Sequence, residues 1–154
     1  MKYSVQDYIK IAESTKAFTS PEIKTLREVL EEWEANPGKD YLLLHEEDQE
    51  GLRGFLIYGS TPMTESGFDL YWIAVKQTGQ RKGMGRKLVL EMENRILEEK
   101  GRGVIRIETS GREQYKGQRQ FYLSLGYSEC GRIRNFYHQG DDLVTYSKSI
   151  QGMD

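Results

Sequence analysis

Apolar residues recur at helical spacing twice before the chain turns to strands. Val5, Tyr8, Ile9 and Ala12 predict a helix over residues 5–15. Ile23, Leu26, Leu30 and Trp33 predict a second. Ser20-Pro21-Glu22 opens it as N-cap, proline at the first helical position and acidic first turn, and Asn36-Pro37-Gly38 ends it. Two apolar runs follow, residues 41–45 and 52–58, and read as a hairpin around a polar turn. The acids Glu46, Glu47 and Asp48 there read as a solvated tip. After a loop over 59–67, residues 69–75 form an apolar run with little alternation, which predicts a strand buried on both faces. Met84, Leu88, Val89, Met92 and Ile96 then give one stripe of a long helix that reaches about Lys100 and is stopped by Gly101 and Gly103. Residues 104–109 read as a strand. Residues 115–125 read as a helix ended by Gly126, and 130–138 with 143–149 as a final hairpin around Gly140-Asp141-Asp142. The strand–helix–strand passage predicts a locally parallel pair and the hairpins predict antiparallel ones, so the class is α/β with a mixed sheet and helices on both sides.

Length and composition fit a single domain with a real core. The 154 residues are expected to form one domain over 1–154. A net charge of −2 implies no bulk attraction to nucleic acid. No 18-residue apolar stretch or leader-like run is present, so the expected location is cytoplasmic, with no membrane partner. The single cysteine, Cys130, excludes an internal disulfide and is read as a buried structural thiol. His45-Glu46 lacks the second histidine of a zinc-protease helix, and no metal is expected. Asp141-Asp142 is read as a solvated turn in preference to an attractor for a cationic amine.

The chemistry concentrates where the long helix begins. A helix N-terminus carries unpaired N–H groups and the positive end of the dipole, so its first turn favours acids. Here Arg81, Lys82, Arg86 and Lys87 crowd that end instead. Each such cation costs about 0.3–1 kcal/mol unless an anion answers it. Gly83 and Gly85 leave room for the backbone to approach a polyanion. The segment is therefore read as a phosphate or pyrophosphate cradle. It lacks the Gly-Lys-Ser/Thr ending of a P-loop, and Leu88 stands where a dinucleotide loop needs its third glycine.

Gln80-Arg81-Lys82-Gly83-Met84-Gly85 after an apolar strand resembles the acetyl-coenzyme A pyrophosphate loop of the GCN5-related N-acetyltransferases, the GNAT superfamily. Gln120-Phe121-Tyr122-Leu123-Ser124-Leu125-Gly126-Tyr127 resembles that family's Phe-Tyr-x-x-x-Gly-Phe/Tyr segment. The resemblance spans roughly residues 41–150, with the acetyl-coenzyme A core at about 69–127. It implies a mixed, mostly antiparallel sheet of about six or seven strands flanked by about four helices. It implies acetyl-coenzyme A as cosubstrate and a primary amine, on a small molecule or a peptide, as acceptor. Gln80 to Arg86 would hold the pyrophosphate, and the backbone of Ile73, Ala74 and Val75 the pantetheine arm. Tyr122 would protonate the departing thiolate. Tyr115 stands where many members have an asparagine that contacts pantetheine. The usual first strand is absent or shrunk into residues 1–4.

Direct attack needs a neutral amine, hence a base or a water relay. Asp69, at the start of the strand, is one candidate, Glu108 another and water a third. A domain that keeps the cradle as a non-catalytic acyl-coenzyme A sensor is the alternative reading. Oligomeric state is open, a homodimer included.

Overall fold

A computed structural model describes residues 2–77 and 83–152. The element order is α1 (Val5–Ser14), α2 (Ser20–Ala35), β1 (Leu42–Asp48), β2 (Gly51–Ser60), β3 (Gly67–Val75), α3 (Met84–Lys100), β4 (Arg102–Ser110), a 3-10 turn (Glu113–Tyr115), α4 (Lys116–Ser124), β5 (Ser128–His138) and β6 (Asp141–Gln151). The strands make a six-stranded mixed sheet in the order β1-β2-β3-β4-β6-β5. Among the described residues no strand precedes α1, so the sheet begins at β1.

The chain divides into two compact units, Met1–Ser60 with Leu70–Arg95 and Thr61–Asp69 with Ile96–Asp154. In the first, both helices start on closed caps. Ser4 Oγ accepts from the Asp7 N–H while the Asp7 carboxylate accepts from the Ser4 N–H, and Thr19 and Glu22 repeat the arrangement on α2. Thr19, not Ser20, is thus the cap. Glu22 lies three residues after Thr19, the spacing a reciprocal box needs. The helices set Tyr8, Ile9, Ala12, Leu26 and Leu30 against Phe55 and Ile57 of β2 and Ala74 of β3. Burying such side chains is worth about 1.5–3 kcal/mol each and is the main force holding this unit. The β1–β2 hairpin pairs Leu42 with Tyr58 through Asp48 with Gly51, with a bulge at Glu46/Glu47. The acids expected at a wet tip belong to β1 and have partners. Glu46 meets Lys87, Glu47 meets Lys2 and Tyr3, and Asp48 accepts from the buried Arg53 at 2.6 Å.

In the second unit β6 lies between β4 and β5. It pairs with β4 from Arg102↔Gln151 to Ser110↔Leu143, and with β5 from Ser128↔Ser147 to His138↔Asp141. On β4, Ile105 and Ile107 are buried while Val104, Arg106 and Glu108 stand on the exposed face. β5 is an edge strand exposed along its whole length. Cys130 sits on it and is exposed, which overturns the expectation of a buried thiol. The expected 115–125 helix is shorter, because a 3-10 turn holds Tyr115 and α4 starts only at Lys116. Gly126, at φ 93°, ends it as the sequence predicts. β3 shows little alternation, as expected: Phe68, Asp69, Leu70, Ile73 and Ala74 are buried, and Tyr71 alone is exposed, at 40%.

Candidate active site

The start of α3 is built unlike the starts of α1 and α2. Its first turn contains no acid. Gly83 adopts φ 80°, a left-handed conformation that suits glycine, and its carbonyl accepts the Lys87 N–H at 2.8 Å. That is the first helical bond among the described residues, and the N–H groups of Met84, Gly85 and Arg86 lie in the turn before it. Arg86 is exposed and makes no ion pair among the described residues. Lys87 behaves differently from its neighbours in sequence. It reaches Glu46 of β1 at 3.5 Å, so one of the four cations is answered by the protein itself. Gln80, Arg81 and Lys82 lie outside the described residues.

The end of β3 is fixed against β2. The Lys76 N–H donates to the Arg53 carbonyl at 2.7 Å. Gly54 allows the approach: a Cβ there would lie 3.0 Å from the Ala74 carbonyl oxygen and 3.2 Å from the Val75 side chain. Ile73 and Ala74 are buried and Val75 half-buried. The Val75 carbonyl accepts from Gln77 Nε2 at 3.1 Å. The end of β3 is therefore held firmly against β2.

The remaining candidates lie in the second unit. Asp69 is 7% exposed and its carboxylate is engaged. Oδ1 accepts from Arg106 Nε at 2.6 Å, and Oδ2 from Arg106 Nη2 at 3.2 Å and from Thr61 Oγ1 at 2.7 Å. This geometry ties the loop before β3 to β4, and it takes up most of the carboxylate's accepting capacity. Glu108 lies two residues beyond Arg106 on the same exposed face of β4 and has no hydrogen bond or ion pair among the described residues.

Tyr122 is buried at 2% exposure, packed between Tyr127 at 6.4 Å and Tyr146 at 6.3 Å between ring centroids. Its oxygen accepts from Gln118 Nε2 at 3.3 Å. No acceptor for its O–H stands among the described residues. Burial pushes the phenol well above its ordinary pKa, partly offset by the Gln118 N–H, so the group is protonated at any physiological pH. Tyr115 is buried, with its N–H on the Arg112 carbonyl at 3.0 Å. Sequence reading missed Gln118. The signal was its i, i+4 spacing from Tyr122 on one helix face.

A polar knot at the end of β4 was also missed. Ser110 Oγ donates to Asp141, the Arg112 N–H donates to Ser110 Oγ at 3.1 Å, and His138 approaches Asp141 at 3.4 Å. The three residue types are those of a nucleophilic triad, but here the carboxylate sits between serine and histidine, so no base faces the hydroxyl. The knot fixes the β5–β6 turn. Asp141 and Asp142 are buried and half-buried parts of it, not solvated acids.

The first unit thus carries a basic helix N-terminus after a firmly held strand, and the second a protonated, buried tyrosine. The sequence model of the GNAT acetyltransferase domain matches residues 37–129. The chain belongs to the GNAT acetyltransferase family and is an acetyltransferase. A protein described as a GNAT-family acetyltransferase from Desulfovibrio desulfuricans is 32% identical, with a TM-score of 0.88 over 94% of this chain and 91% of that one. An aminoglycoside 6′-N-acetyltransferase solved with coenzyme A is 17% identical, with a TM-score of 0.70 over 97% and 93%. The ribosomal-protein-S18-alanine N-acetyltransferase of Escherichia coli is 20% identical, with a TM-score of 0.69 over 100% and 94%. The last two share the fold. No curated protein matches the chain. No helix among the described residues is long and apolar enough to cross a membrane.

Proposed function

We propose that this protein moves an acetyl group from acetyl-coenzyme A to a primary amine by direct attack, with Tyr122 as the acid for the leaving thiolate. The observation that carries it is the Tyr122 hydroxyl, buried and protonated, with its oxygen accepting a hydrogen bond and its proton uncommitted. Buried donors are nearly always paired, so a free one invites a partner that arrives with the substrate. The α3 N-terminus at Gly83, Met84, Gly85 and Arg86, joined by Gln80, Arg81 and Lys82, would take the pyrophosphate. The backbone from Ile73 to Val75 would pair with pantetheine, and one of its N–H groups would meet the developing oxyanion.

The steps balance without a nucleophilic side chain. The amine nitrogen adds to the thioester carbonyl carbon, and the carbonyl electrons move to oxygen. The C–S bond then breaks as oxygen re-forms its double bond, and sulfur takes the Tyr122 proton. The nitrogen loses a proton to the base, and the phenolate is reprotonated from solvent. For that base we favour Glu108, directly or through one water, because its carboxylate is unpaired. Asp69 we assign to holding the Thr61 loop against β4.

Tyr122→Phe keeps the ring and removes the O–H. Turnover should fall about 10²–10⁴-fold while acetyl-coenzyme A affinity stays near wild type. Thiol release measured with a polyamine, an aminoglycoside and an alanine-initiated peptide tests this. Wild-type turnover in the Phe variant would return Tyr122 to a packing role. An amine of pKa about 10 is mostly protonated near neutrality. Glu108→Gln should thus lose activity steeply below neutral pH and recover as pH rises. Asp69→Asn should instead lower stability by about 1–3 kcal/mol, discounted for the half-exposed arginine. A Glu108→Gln profile parallel to wild type would leave water as the relay.

A further inference from the structure

We infer that Gln118 is a positioning residue for the acid: its amide N–H holds the Tyr122 oxygen so that the hydroxyl proton points away, toward the departing sulfur. This rests on the reading of Tyr122 as that acid. The phenol has three hydrogen-bonding valences, one donor and two acceptor lone pairs. The ring is held by Tyr127, Tyr146 and the neighbouring Phe121, leaving the rotation of the O–H as the main freedom. Gln118 Nε2, at 3.3 Å, fills one lone pair with a donor. A proton turned toward a donor is repelled, so the hydroxyl turns elsewhere.

The amide is itself held. Gln118 lies in the first turns of α4, and the next residue, Arg119, donates from Nη1 to the carbonyls of Ser110 at 2.9 Å and Arg112 at 2.6 Å. These bonds fasten α4 to the end of β4 and fix the backbone that carries Gln118. There is a second effect. As the proton leaves Tyr122, negative charge grows on its oxygen, and a donor already in place stabilises that charge. Gln118 therefore strengthens an acid that burial alone would make too weak. The opposite orientation of the amide would present its oxygen, capture the O–H and silence the acid.

Two variants separate these roles. Gln118→Met keeps length and volume but cannot donate. Gln118→Glu presents oxygen acceptors and a negative charge to the growing phenolate. Each is assayed by thiol release from acetyl-coenzyme A with the best of the three amines named above, or with water as acceptor where none is used. For Gln118→Met, kcat should fall roughly 10–100-fold, the value of one hydrogen bond to a charged group. Gln118→Glu should fall further. KM for acetyl-coenzyme A and the melting temperature should stay near wild type in both. In the Tyr122→Phe background, Gln118→Met should cost nothing more, since its target is gone. Wild-type kcat in Gln118→Met, or a loss that adds in full to that of Tyr122→Phe, overturns the assignment while leaving the acid in place. If Tyr122→Phe alone turns over like wild type, the acid reading falls, and this inference with it.

Discussion

The starts of α1 and α2 and the start of α3 solve one problem in opposite ways. Each helix opens with N–H groups that lack helical acceptors. At α1 and α2 the chain supplies the acceptors itself, Ser4 with Asp7 and Thr19 with Glu22. At α3 it supplies neither a first-turn acid nor, among the described residues, a partner for Arg86. A closed end spends its polarity on folding. An open one, on the function proposed above, keeps it for a ligand. The difference teaches where to look for a ligand: at the helix start whose first turn lacks the acid used at the other two.

Closing the open end should give the largest effect. Gly83→Asp puts a like charge before the phosphates and strains a backbone at φ 80°. Coenzyme A affinity should drop roughly a hundredfold or more, read by calorimetry, since misplaced like charges cost several kcal/mol. Unchanged affinity would remove the cradle from the site. Opening the closed ends is the converse test. Ser4→Ala and Thr19→Ala should each cost about 0.5–2 kcal/mol of stability in denaturant melts and leave coenzyme A affinity alone. Arg86→Glu should combine the two signs. The ligand-free protein gains about 0.3–1 kcal/mol from an acid in the first turn, while coenzyme A binds more weakly. An affinity that rises with that stability would break the comparison.

The smallest effect concerns acid. The Ser4 N–H, and then its hydroxyl, hold the Asp7 carboxyl below the ordinary carboxylate range. A depressed folded pKa gives stability that is complete above the unfolded value, near about 4, and lost as pH falls through the folded one. Thermal melts of wild type and Asp7→Ala should therefore differ at neutral pH and converge in strong acid. A constant gap down to the lowest pH would mean that the box does not depend on the charge.

Much of this was legible in sequence because it is local. Gly101 and Gly126 end their helices at φ 76° and 93°, and a glycine after an apolar stripe signals that unaided. The proposed cradle rests on a conflict that is also local, four cations against a helix dipole. What stayed hidden is long-range. Asp69 reads as a free strand-end acid until Arg106, 37 residues away, folds onto it. Lys87 reads as one of four unanswered cations until Glu46, 41 residues earlier on β1, pairs with it. Cys130 reads as buried because nothing in residues 128–138 reveals that their strand is the edge of the sheet. Gln118 is the exception, a local pair that spacing alone could have found.

The place of β6 bears on how the molecule is made. Among the described residues the last strand in chain order is the middle one of its three, and β5 pairs with it alone. During synthesis β4 and β5 therefore wait with open backbone edges until residues 141–151 emerge. Pairs such as Arg102↔Gln151 close long loops, which slows zippering. A nascent chain halted before β6 exposes unpaired strands, the kind of surface that chaperones hold and aggregates recruit. Ribosome stalling in this stretch is thus a hazard distinct from any loss of activity, and slow decoding just upstream would lengthen it.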